Sequence, residues 1–276
     1  MKKLLAIVTA FALLISFASC GKNNSGLHEE TVSTSVIEEI TDTATESPEE
    51  ITTDEPVDVS EITSEPVSTT TDDPTLWTDE EIIDFYKEAA EKSSKTVKSK
   101  QVMVLDKLII NNGEGALGFF TKILEPAIRS VVKKNALEFD GITGGFRNLS
   151  VNDTKSIKAY KSGEYTVVEM VMKKQTDDIH ANEHEGSVGH AISVLGDISK
   201  VLAEFPQFNV DLSNAKIDIH YVNATVKVKI NKNGVIEKGT WKYTCDPDIS
   251  NVKISGINVH TAEAEIDYII TVGGGF

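Results

Sequence analysis

Toward the end of the chain, apolar and polar side chains alternate almost without a break. Ala264, Ile266, Tyr268, Ile270 and Val272 fall on one side of an extended segment. Earlier, Ile217, Ile219 and Tyr221 oppose Asp218 and His220, and Val226, Val228 and Ile230 oppose Lys227 and Lys229. A period of two predicts strands with one buried and one wet face. It predicts strands over Gln101 to Ile110, Ser156 to Lys161, Tyr165 to Lys173, Val235 to Cys245, Val252 to Val259 and Ala262 to Val272. Ser162-Gly163 and Asn233-Gly234 predict hairpin turns, and Asp246-Pro247-Asp248 a further turn.

Three stretches change to a period of three or four. Thr78-Asp79-Glu80-Glu81 spells a capping box, with Trp77 placed to pack on Ile82, and Ile82, Tyr86, Ala89 and Ala90 continue the stripe. A second helix is predicted over 116–134 through Leu117, Phe120, Leu124, Ile128 and Val131, with Pro126 kinking or breaking it. The third is the most regular: Val188, Ile192, Leu195, Ile198, Leu202 and Phe205 predict one continuous helix. Successive hairpins beside helices define an α+β fold. The expected architecture is a large, strongly curved antiparallel β-meander packed on two or three helices, occupying residues 77–276.

The first quarter of the chain reads differently. Residues 1–19 have the form of a signal peptide: Lys2 and Lys3, then an apolar run too short to span a bilayer. Phe17-Ala18-Ser19-Cys20-Gly21 matches a lipobox, with Phe17 where Leu is usual, so Cys20 is the expected lipidation site. No twin-arginine pair is present, which points to export of an unfolded chain without cytoplasmic cofactors. Residues 20–76 form the expected tether, rich in Thr, Ser, Glu and Pro. Too few apolar groups occur there to offset ordering entropy. EEIT, EEIT and SEIT recur at 38–41, 49–52 and 60–63, a drifting spacer rather than a repeat fold. The chain carries −16; residues 21–77 hold −14 of it and Lys2 and Lys3 add +2, which leaves −4 for 78–276. A nearly neutral domain without a basic stripe argues against nucleic acid as a partner.

Few residues offer chemistry. With Cys20 lipidated, Cys245 has no partner for a disulfide and alternates with Trp241 and Tyr243 as a core thiol. His180, Glu183 and His184 spell H-x-x-E-H, the inverted zinc-peptidase signature. That chemistry needs both rings on one helix face and a third ligand, with Glu183 as base. The flanks Lys173 to Asp178 and Glu185 to Ser187 lack an apolar stripe, so the favoured reading is a polar loop. The alternative is a metal site at His180 and His184 with Glu183 or His190 as a third ligand, or a metal-dependent hydrolase using His180, Glu183 and His184. Gly113 to Gly118 spells G-x-G-x-x-G, but Asp106 and Lys107 interrupt the preceding strand, which argues for a plain strand-to-helix turn. Asp246-Pro247-Asp248 lacks the spaced acids and glycine of a calcium loop.

With this lipobox, the Thr/Glu/Pro-rich tether and a domain opening on EEIIDFYKEAAEKS, the chain resembles a family of lipoproteins from gut Firmicutes. The hairpin NATVKVKINKNGVIEKGTWKYT belongs to the same resemblance, which spans the whole chain and implies no activity. In layout alone the chain is similar to tubular lipid-binding domains, where a curved antiparallel sheet wraps a helix around an apolar tunnel. The expectation is a non-enzymatic binding module on the extracytoplasmic face of the cell membrane. It is anchored there through lipid on Cys20 and binds an apolar small molecule or a surface protein, with no cofactor.

Overall fold

The computed structural model describes residues 73–276, less positions 117, 120, 123, 124, 127, 128, 130–135, 143, 204, 205, 207 and 208 and the side chains of 201–203. The signal region, Cys20 and the tether as far as residue 72 lie outside the described residues.

Helix α1 (Asp79–Ser93) starts where its cap dictates. The Thr78 hydroxyl accepts the Glu81 amide at 3.2 Å, and the Glu81 carboxylate accepts the Thr78 amide at 2.8 Å. Two helix-end donors are thereby satisfied. Trp77 meets Phe85 edge-on at 4.9 Å. The stripe Ile82, Ile83, Tyr86, Ala89 and Ala90 is buried. At the far end the Ser93 hydroxyl donates to the Ala89 carbonyl at 2.6 Å and accepts the Ile236 amide at 2.8 Å, which fixes the helix to the sheet.

The strands are β1 (Lys98–Ile110), β2 (Leu137–Asp140), β3 (Thr154–Ser162), β4 (Tyr165–Met172), β5 (Gln175–Asp177), β6 (Val210–Asp211), β7 (Lys216–Ile230), β8 (Ile236–Ile254) and β9 (Ile257–Val272). They form one open, wholly antiparallel sheet in the order β2-β1-β9-β8-β7-β4-β3; β5 adds to β7, and β6 to β8. Thus β7, β8 and β9 make a meander, while β1 returns beside the last strand. Two short helices, α2 (Gly186–Ala191) and α3 (Ile198–Ala203), follow β5. The fold is a β-rich α+β fold. Among the described residues no helix is long and apolar enough to cross a membrane.

One face of the sheet carries the core. Met103, Leu105, Val226, Val228, Trp241 and Ile266 are among its fully covered side chains. Tyr243 stacks on Tyr268 at 4.9 Å and meets Tyr221 edge-on at 5.5 Å, so an aromatic row crosses β7, β8 and β9. The opposite face is wet. There Glu169 receives Lys158 and Lys227, each at 2.8 Å, and Lys242 pairs with Asp267 at 2.7 Å. Burial alone would raise the Glu169 carboxyl, but hydrogen bonds from Lys158, Lys227 and Tyr160 outweigh it and bring the pKa to about 2.

Four expectations need correction. The third helix is not continuous: helical backbone stops at Ala191 and resumes at Ile198. Between them Ser193 (φ +75°) and Gly196 (φ +69°) take the left-handed region. The apolar spacing survives because the non-helical link also buries Val194 and Leu195. Asp246-Pro247-Asp248 is no turn but the interior of β8. Pro247 opposes Ile219 on β7, yet neither Asp246 nor Pro247 has a ladder partner on β9, so the missing proline N–H breaks no ladder bond there. The strands expected over 252–259 and 262–272 are instead the end of β8 and a continuous β9, which turn at Ser255-Gly256. In the β3–β4 hairpin Ser162 pairs with Tyr165, so the loop is Gly163-Glu164, with Gly163 at φ +64° supplying the primed-turn conformation. For the second helix, helical backbone is present at 115–116, 118–119, 121–122, 125–126 and 129, with Pro126 inside it; Leu117, Phe120, Leu124, Ile128 and Val131 lie outside the described residues.

Candidate functional site

The long strands outrun helix α1. Trp241 and Ile236 on β8 lie against α1, whereas the other half of β8, from Cys245 to Ile254, faces a cleft. Its floor is β7, β8 and β9 through Ile219, Cys245 and Ala264. Its sides are Leu108 of β1, Leu195 and Ile198 around α3, and Leu212 after β6. Among the described residues the lining is apolar except for Glu263, whose carboxylate is held by Lys107 at 2.8 Å. The cavity measures about 60 Å³. A single water needs roughly 10–15 Å³ measured this way, and an apolar lining offers it few polar partners. Burial pushes the Cys245 thiol far up, so it is an unreactive part of the wall rather than a nucleophile.

The H-x-x-E-H segment lies in the loop between β5 and α2. His180 sits 3.6 Å from Asp197 and 3.3 Å from the Ser199 hydroxyl. His184 points elsewhere, with Nδ1 at 3.0 Å from the Ser193 hydroxyl and Nε2 at 3.2 Å from Glu183. His190, on α2, pairs with Asp153 at 3.1 Å. Burial of Asp153 opposes its charge, but hydrogen bonds from His190 and Ser150 hold the carboxyl below its usual range. Among the described residues no group of three or more His, Cys, Asp or Glu side chains is placed to hold a metal ion.

Ser193, His184 and Glu183 have the connectivity of a hydrolase relay, with Ser193 on strained backbone. The surroundings do not complete it. The amide after Ser193, that of Val194, donates to the Glu183 carbonyl at 2.9 Å and so offers nothing to an oxyanion. A left-handed residue just past a helix end is also a common C-terminal cap, and the Ser193 amide bonds back to Gly189.

In the glycine-rich segment, Gly113 and Gly115 have positive φ and a Cβ on Gly118 would fall 2.3 Å from the Gly113 carbonyl carbon, so the glycines serve a tight turn. β1 is antiparallel to both neighbours, which is not the setting of a dinucleotide site. Sequence reasoning named neither Ser193 nor Asp197, the partners of the two histidines. It also missed Tyr221 as an acceptor: its hydroxyl receives the Leu195 amide at 3.2 Å. Only the buried aromatic spacing at Tyr221 left a signal.

Comparison with protein-family models, with curated proteins and with solved structures returns no match. Fold and site define a β-rich α+β domain with an apolar cleft on the covered side of its sheet.

Proposed function

We propose that the chain is a lipid-anchored, extracytoplasmic binding module that takes an apolar ligand into the cleft of β7, β8 and β9. The observation that carries this reading is the cleft itself: a space walled mainly by aliphatic side chains, with the one carboxylate among its described lining residues already paired. Filling such a space returns contacts that the lining side chains lack, at about 25 cal/mol for each Å² of apolar surface removed from water. Binding sites of this kind are concave and mainly apolar. The anchor follows from Cys20 in its lipobox and the acidic tether behind it. No covalent step belongs to this function.

Native mass spectrometry of the full chain extracted from membranes tests it. The expected spectrum shows protein with a bound apolar molecule, and titration with dodecanoate restores that adduct after delipidation. A spectrum of bare protein at every dodecanoate concentration would overturn the reading.

A further inference from the structure

The H-x-x-E-H loop and the apolar cleft share one element. Residues 193–199 form a strap: Leu195 and Ile198 line the cleft on one side, and the loop at 178–185 holds the strap from the other. The Val194 amide donates to the Glu183 carbonyl at 2.9 Å. The Ser193 hydroxyl meets His184 at 3.0 Å. His180 and Asp197 form an isolated antiparallel bridge, and the His180 ring reaches the Ser199 hydroxyl at 3.3 Å. Gly196 is packed so closely that a Cβ there would come within 3.2 Å of the Glu183 Cβ. Toward the sheet, the Leu195 amide donates to the Tyr221 hydroxyl at 3.2 Å.

We propose that residues 178–185 are the latch of the cleft, with His180 and His184 holding the strap shut and their release opening a path to Cys245. This deepens the binding function proposed above and rests on it. The strap has what a hinged segment needs: left-handed backbone at Ser193 and Gly196, at its helix end and before α3, where a change of φ and ψ can be absorbed. The side-chain ties from His184 to Ser193 and from His180 to Ser199 are exposed and individually weak, so opening lies well below the free energy of global unfolding. The apolar contacts of Leu195 and Ile198 close it again. In this assignment the two histidines act separately, one at each end of the strap, which accounts for their different partners.

Labelling of Cys245 reads the opening directly. The thiol is fully buried, lines the cleft and is held protonated by its surroundings, so it reacts only when exposed. Full-length lipidated chain in detergent micelles is treated with N-ethylmaleimide, and the modified Cys245 peptide is followed by mass spectrometry. The double variant His180→Ala/His184→Ala is expected to label about tenfold faster than the unsubstituted chain, at a rate that depends on urea far less than global unfolding does. His220→Ala, whose ring bonds Thr176 away from the strap, is expected to label at the original rate. Equal rates in the double variant and the unsubstituted chain would overturn the latch, as would labelling whose urea dependence matches that of global unfolding. Dodecanoate binding separates the two conclusions. A chain that binds dodecanoate but shows no rate difference retains the cleft function and loses the latch; a chain that binds none loses the cleft function whatever its labelling.

Discussion

The indole N–H of Trp241 donates to the phenol oxygen of Tyr86 across 2.9 Å, with both side chains removed from solvent. This bond joins α1 to the middle of the sheet and gives the largest buried ring its only polar need. Tyr86→Phe leaves that N–H without an acceptor in a dry interior. The expected loss is about 1–3 kcal/mol of unfolding free energy, measured by urea denaturation with Trp fluorescence as the signal.

The same phenol sets an alkaline limit. Burial raises Tyr86 to about 12 and pushes Tyr221 and Tyr243 upward too. The folded state therefore holds these protons after the unfolded state has begun to lose them near pH 10. Their contribution is complete below that pH and declines as pH rises toward 12. Urea midpoints taken from about pH 9 to 11 should fall, and Tyr86→Phe should shallow the slope.

An opposite dependence is expected in acid. Glu169, with a pKa of about 2 against an ordinary carboxylate value of 4.5, favours folding above the ordinary value and loses that contribution as pH falls toward 2. Asp153 is lowered as well and adds in the same direction. Glu169→Gln should flatten the acid limb of the stability profile, monitored by circular dichroism between about pH 5 and 2.

Two positions test how closely the helix and sheet are fitted. Ser93→Ala removes the acceptor of the Ile236 amide inside the protein and should cost about 1–3 kcal/mol. At Gly239 a Cβ would stand 2.4 Å from the Trp241 ring. Gly239→Ala must displace the indole and should cost about 1–3 kcal/mol, with a visible change in Trp fluorescence. Both changes are read as shifts of the urea midpoint.

The cleft makes its own demand. Ala264 forms part of the floor with almost no exposure, so Ala264→Trp places a ring where the ligand's apolar group would lie. Dodecanoate affinity should drop at least tenfold, about 1.4 kcal/mol, by isothermal titration.

Local devices were legible in the sequence and distant ones were not. The Thr78–Glu81 box predicted the start of α1 because both halves of the motif lie within one turn. Alternation predicted which residues of β7 and β9 face inward, because a strand buries every second residue whatever lies beside it. The same alternation gave no sign that β1 would insert next to β9, since pairing depends on the rest of the sheet. Val188 to Ile198 misled because an irregular strap also needs apolar residues every three or four positions. Pro247 misled because a proline is tolerated inside a strand where the neighbour makes no ladder bond. The cleft needed the register of four strands together, beyond any single stretch of sequence.

The pairing of β1 with β9 joins residue pairs such as Ser99 and Val272, near opposite ends of the described chain. A sheet paired in this way cannot be finished until β9 is made, and β1 waits as an open template until then. Such distant closure slows acquisition of the native state and leaves an aggregation-prone edge in the interval. A chain lacking β9 would leave the edges of both β1 and β8 that face it unpaired.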